Sequence, residues 1–245
     1  MKKILLFILM AIPLFISGCS CSNKFDIKTY QAAVKNYTES TGFEYRLIVK
    51  TKLKDDNKYT RKESTNKFIL TTTREVYDFS SEMKNYEVPL SSQGVEGDYQ
   101  LKYTYNRYYV GDDGKFYTKE RVGTRKPTTQ NQTISYEEKY SDLNNEYNIN
   151  NLIPVFSVDQ ISNFSISSIK DQKGYSIATF TAAAPSFITN EEVMVTYEVK
   201  MDKNFYFSAI NFTVEEEDRT ISYEYSFYNF NSQVYISFPE DLNTY

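Results

Sequence analysis

The chain predicts an α+β fold, an antiparallel β-sheet with helices packed on one of its faces. Three observations lead there. Apolar and polar residues alternate with a period of two through most of the chain beyond residue 42. The joints between these stretches are short turns rich in Asp, Asn and Gly, which suit antiparallel neighbours and not parallel ones. Two segments carry helical signals instead, and their apolar stripes need a sheet face to cover them.

Asp26 stands as the N-cap of a first helix in which Ile27, Tyr30, Val34 and Tyr37 recur at helical spacing, and Gly42 ends it. Phe43, Tyr45, Leu47, Val49, Thr51 and Leu53 then alternate with Glu44, Arg46, Ile48, Lys50, Lys52 and Lys54, the pattern of a long half-buried strand. Asp55-Asp56-Asn57 turns it, and residues 59–79 supply one or two more strands. Tyr99, Leu101, Tyr103, Tyr105 and Tyr109 are expected to share one face of the next strand, which a tight hairpin at Gly111-Asp112-Asp113-Gly114 joins to another over 115–122.

Residues 126–133 are polar, lack periodicity and read as a loop. Ser135-Tyr136-Glu137-Glu138 fits a capping box, which predicts a central helix over 136–145. A second short helical or irregular piece follows over 148–156, with Pro154 against regularity. Strands resume over 161–169 and 175–182, and Val193, Val195, Tyr197, Val199 and Met201 form another alternating face. Asp202-Lys203-Asn204 turns into 205–215, residues 216–219 turn into 220–229, and Val234, Ile236 and Phe238 close the series before Pro239. No composition shift or long linker divides residues 26–245, so one domain is expected there.

The N-terminus carries an address. Lys2 and Lys3 precede an uncharged apolar stretch over 4–16, shorter than the roughly 20 residues of a membrane-spanning helix, as in a secretory signal peptide. Ile16-Ser17-Gly18-Cys19 follows at once and resembles the lipobox of bacterial lipoproteins. That resemblance implies a signal peptide over 1–18, cleavage by signal peptidase II before Cys19, and a diacylglyceryl group on the Cys19 sulfur. Residues 19–25 then form a short lipidated tether to the cell membrane, on its extracytoplasmic face, and two acyl chains suffice for stable attachment. Cys21 is too close to Cys19 to bridge it, and the chain has no third cysteine.

Composition excludes several chemistries. The 245 residues include 23 Tyr, 17 Phe, no Trp and no His. Without histidine there is no Ser–His–Asp triad, no Cys–His pair and no imidazole metal ligand. The formal charge is −4, and removal of Lys2 and Lys3 with the signal peptide makes it more negative, so nucleic acid is not an expected partner. Neither a cofactor nor a metal is called for by any motif.

The last stretch carries a cadence. Tyr197-Glu198-Val199-Lys200-Met201-Asp202 leads through a turn to Ala209-Ile210-Asn211-Phe212-Thr213, then to the aromatic strand ending Phe227-Tyr228-Asn229-Phe230-Asn231, then to Val234-Tyr235-Ile236-Ser237-Phe238-Pro239. With the helix-first order and the hairpin Tyr108-Tyr109-Val110-Gly111-Asp112-Asp113-Gly114, this resembles bacterial lipoproteins of the LolA/LppX-like superfamily. The resemblance implies a strongly curved antiparallel sheet, an unclosed half-barrel, with helices on its concave face. Members of that superfamily with known roles hold acyl chains or lipidated peptides in the hollow; others have no assigned ligand.

Other constellations read as structure. Ser-x-x-Lys occurs at Ser64–Lys67, Ser81–Lys84 and Ser167–Lys170, but the Ser-Asp-Asn and Lys-Thr-Gly motifs of penicillin-interacting enzymes are missing. Glu215-Glu216-Glu217-Asp218 sits at a strand–strand turn, and the Asp-rich turns lack the spacing of a calcium loop. The Tyr stripe and its partners serve core volume before they serve sugar or lipid binding. The resulting expectation is a non-enzymatic binding protein for a lipid or other hydrophobic ligand. Its candidate lining residues are Tyr99, Leu101, Tyr103, Tyr105, Tyr197 and Val199. The alternative is an interaction or scaffold lipoprotein with a filled core and unknown protein partners. A void on the concave face favours the first and a closely packed face the second.

Overall fold

The structure, a computed structural model, describes residues 27–125, 135–142, 149–154, 161–168, 174–185 and 192–242. The signal peptide, Ile16, Ser17, Gly18, Cys19, Cys21, the tether, Asp26 and the 126–133 loop lie outside the described residues. Among the described residues, no helix is long and apolar enough to cross a membrane.

Helix α1 (Ile27–Glu39) is followed by β1 (Gly42–Leu53), β2 (Lys58–Leu70), β3 (Val76–Pro89), β4 (Gln100–Val110), β5 (Lys115–Arg125) and β6 (Ser135–Asp142). A 3₁₀ turn at Ile149–Leu152 precedes β7 (Ser162–Ser168), β8 (Ser176–Pro185), β9 (Glu192–Met201), β10 (Phe207–Glu215) and β11 (Arg219–Phe230). All eleven strands form one sheet in the order β6-β5-β4-β3-β2-β1-β11-β10-β9-β8-β7. Two meanders, β1–β6 and β7–β11, therefore meet where β1 pairs antiparallel with β11. The sheet is not closed: β6 and β7 are its two edges.

Alternation sets the faces. Phe43, Tyr45, Leu47 and Val49 of β1 point toward α1, while Glu44, Arg46 and Lys50 point to the outer face, where Lys50 pairs with Glu224 at 2.9 Å. Helix α1 buries Tyr30, Ala33, Val34 and Tyr37 on the inner face, the stripe that helical spacing selects. The Tyr30 ring centroid lies 6.4 Å from that of Phe164 on β7 and 6.1 Å from that of Phe207 on β10. The Tyr30 ring thus bridges residues three strands apart on the sheet. Arg74, in the β2–β3 turn, fastens the other end of α1. Its Nη1 donates to the carbonyls of Tyr37 (2.8 Å) and Thr38 (2.6 Å), placing a cation at the helix C-terminus.

Three expectations fail for local reasons. Residues 135–142 form strand β6 rather than a central helix, so α1 is the one α-helix among the described residues. A capping box is a weak local preference, and the open edge of β5 offers the same backbone groups a full ladder of partners. Val234, Ile236 and Phe238 do not add a strand, because β1 and β10 already occupy both sides of β11. The segment crosses the outer face instead, where the Phe238 ring meets Tyr108 at 6.2 Å and Lys67 Nζ donates to the Tyr235 carbonyl at 3.4 Å. Finally, β3 runs on to Pro89, past the limit that the 59–79 pattern set.

Candidate functional site: a hollow on the helix face

The two meanders present unlike inner faces. On β8–β11 that face is mostly apolar: Val199, Met201, Phe207, Ile210 and Val214 are at most 1% exposed, and Phe212 stacks on Tyr223 at 4.6 Å. On β1–β4 it begins apolar under the helix, with Phe43, Phe68 and Phe79, and then turns polar. Register places Asn66, Ser64 and Lys62 on β2, Ser81, Met83 and Asn85 on β3, and Arg107, Tyr105 and Tyr103 on β4 along this same face.

Between these side chains lies a hollow of about 240 Å³. Its apolar wall is Tyr45, Leu47, Val49, Phe79, Met83 and Leu152; its polar wall is Lys62, Ser64, Asn66 and Arg107. The 149–154 segment roofs it. Asn150 Oδ1 accepts from the Val76 N–H at 2.8 Å, and the Tyr37 hydroxyl donates to the Pro154 carbonyl at 2.7 Å, so Leu152 is held over the sheet by both. Ser81 Oγ donates to Asn66 Oδ1 (2.8 Å), and Asn66 Nδ2 donates to Ser64 Oγ (2.9 Å), which joins these three side chains to one another, while Asn85 Oδ1 further along β3 is buried without a partner among the described residues.

Arg107 differs from Ser64, Asn66 and Ser81. Its guanidinium lies 5.0 Å from the Tyr105 ring centroid, and its Nε is buried with no protein atom to accept from it. Burial pushes the Tyr45 hydroxyl far above its ordinary value, and the nearby charge of Arg107 opposes that rise. The arginine was legible in one respect: it stands in period with Tyr103, Tyr105 and Tyr109, a charge at a position where the pattern asks for an apolar residue.

The candidate lining residues do not assemble at this hollow. Tyr103 and Tyr105 are on the inner face, beyond the residues that line it. Leu101 and Tyr99 are on the outer face: Tyr103 pairs with Asn85 but Leu101 pairs with Tyr86, and the Tyr99 ring meets that of Tyr86 edge-on at 5.2 Å. A β-bulge at Lys102 inverts the alternation there, which no period-2 count can register. Tyr197 and Val199 are on the inner face but inside the packing. Val199 is 0% exposed, and Tyr197 stacks on Phe180 while its hydroxyl donates to the Ala183 carbonyl at 3.2 Å.

The other motifs are dispersed by the strands. Ser64 and Lys67, like Ser81 and Lys84, project to opposite faces, and Lys84 pairs with Glu82 at 3.1 Å; the third motif, at Ser167 and Lys170, lies partly outside the described residues. Glu216 is buried in the β10–β11 turn, 3.7 Å from Arg219. Asn229 and Asn231 adopt positive φ, and Asn231 takes the Thr41 N–H on its Oδ1 at 3.0 Å, so this pair shapes the chain exit from β11. Among the described residues no group of three or more His, Cys, Asp or Glu side chains could hold a metal ion.

No family model matches the chain. No curated protein matches it either. Among solved structures it is similar to a beta-barrel-like protein of the domain of unknown function DUF1849 from Brucella abortus, at 8% identity and a TM-score of 0.27, over 81% of this chain and 99% of that one.

Proposed function

We propose that this protein is a membrane-anchored extracytoplasmic lipoprotein with no catalytic role, whose inner-face hollow binds a lipid or another ligand with an apolar body. The anchor rests on the order of lysines, apolar stretch and Ile16-Ser17-Gly18-Cys19. The binding role rests on one observation: α1 packs over Phe43 and Phe68 of one meander and Phe180, Phe207 and Phe227 of the other, and leaves an open, mainly apolar hollow beside Leu47, Val49, Phe79, Met83 and Leu152. An alkyl chain lying there gains about 0.8 kcal/mol per buried CH₂ before ordering costs.

The dense packing of Val199, Phe207 and Ile210 under α1 favours the scaffold reading for that part of the face. Native mass spectrometry of the full chain, purified from its own membranes, separates the two. A co-purifying mass lost from a Met83→Trp variant, whose added ring fills the hollow, supports binding; a bare polypeptide in every preparation supports the scaffold.

The anchor has its own test. Cys19→Ala should accumulate as unprocessed precursor and leave the detergent phase of a Triton X-114 extract, while the wild type partitions into it. Wild-type protein released into the medium by cleavage elsewhere would contradict the anchor.

A further inference from the structure

We propose that Arg107, assisted by Lys62, receives an oxyanion, a carboxylate or phosphate, at one side of the hollow while the apolar body of the same ligand lies against Leu47, Val49 and Met83. The inference rests on the binding reading above and gives its ligand a charge.

The pattern of ion pairs points to it. The chain has 32 acidic residues against 28 lysines and arginines, so acids are in excess. Most cations on β1–β4 are accordingly paired: Arg46 and Arg61 with Glu63, Lys50 with Glu224, Lys58 and Lys102 with Glu87, Lys67 with Glu44, Lys84 with Glu82. Lys52 is not paired among the described residues, but it is exposed on the outer face of β1, away from the hollow. Among the described residues Arg107 and Lys62 are the two charged ones that line the hollow, and no acid lines it with them. On β5, Thr118 is in register with Arg107, and the acid Glu120 is in register with Tyr105.

The geometry adds direction. The guanidinium is held against the Tyr105 ring, and its planar fork of N–H donors can take two oxygens of a carboxylate or phosphate at once. Folded proteins seldom leave a buried charged donor without an acceptor, and here the Nε of Arg107 has none from the protein. Lys62 is exposed and brings a second positive charge to the same hollow, where it adds attraction without a fixed geometry. An apolar wall facing two cations selects an amphiphile with an acidic end over a neutral one.

The test is calorimetric titration of the full chain in uncharged detergent with three probes, octanoate, 1-octanol and inorganic phosphate, each corrected for protein-free micelles. Octanoate should bind roughly tenfold to a hundredfold more tightly than octanol, the range of a hydrogen-bonded charge. Arg107→Gln should erase that difference, and Arg107→Lys should keep part of it with an unchanged circular dichroism spectrum. Raising sodium chloride from about 0.05 to about 0.5 M should weaken octanoate and leave octanol unaffected, a check that needs no variant. Equal binding of octanoate and octanol overturns the oxyanion site while sparing the apolar hollow. Phosphate binding as tight as octanoate, with no octanol binding, upholds the oxyanion site and removes the apolar body from the proposed function. No binding by any probe overturns both.

Discussion

The inner face of β8–β11 and the inner face of β1–β4 are built from the same alternation and used differently. In the first, rings and aliphatic groups fill the space under α1: Tyr30 meets Phe180 at 4.8 Å and Tyr37 meets Phe207 at 5.8 Å. In the second, Asn66, Ser64, Ser81 and Arg107 replace rings at positions of equal rank, and the volume they leave is the hollow. The difference teaches that one face of a sheet can carry the stability in one meander and release the other meander for a ligand. Side chains that pack to interior density lose heavily when truncated, whereas those bordering a void do not.

That contrast breaks first in stability. Phe207→Ala, at a residue 1% exposed and ringed by Tyr30, Tyr37 and Phe227, should cost about 3–5 kcal/mol in urea unfolding. Met83→Ala, half-buried at the hollow, should cost about 1 kcal/mol. Equal losses would mean that the two faces are packed alike.

Alkaline pH gives a smaller effect of known sign. Burial raises the hydroxyls of Tyr30, Tyr37, Tyr45 and Tyr223, and raises Tyr225 from its ordinary value of 10.0 to about 12. The unfolded chain ionises these groups near their ordinary value while the fold keeps them neutral. Stability is therefore intact below pH of about 10 and falls as the pH climbs through about 12. A Tyr225→Phe variant lacks one of these groups, so its unfolding midpoint in an alkaline titration should move upward. A midpoint unchanged by that substitution would show that Tyr225 is open to solvent, against the packed description of its face.

The strands were legible where alternation is uninterrupted. Phe43 to Val49 and Val193 to Met201 fall on the faces that their period assigns, and the Tyr30, Val34 and Tyr37 stripe marks the buried side of α1. The capping box at Ser135 misled because the open edge of β5 decides the backbone of 135–142. Tyr99 and Leu101 misled because a single extra residue at Lys102 reverses every side chain before it. Arg107 carried its signal in plain sight, but an unpaired charge in an aromatic stripe acquires meaning only when the partners of its neighbours are known.

The central claim, that the β1–β4 half admits an apolar ligand and the β8–β11 half does not, can be read from one spectroscopic pair. The chain contains no tryptophan, so Tyr105→Trp, beside Arg107, and Phe207→Trp, at a position 1% exposed in the packed half, each give a single emitter. The measurement is quenching of that emission by a brominated fatty acid added to the full chain. Saturable quenching of the Tyr105→Trp variant, with the Phe207→Trp variant unaffected at the same concentrations, is the predicted result. Equal quenching of both, or of neither, would contradict the division of the face on which the proposed function stands.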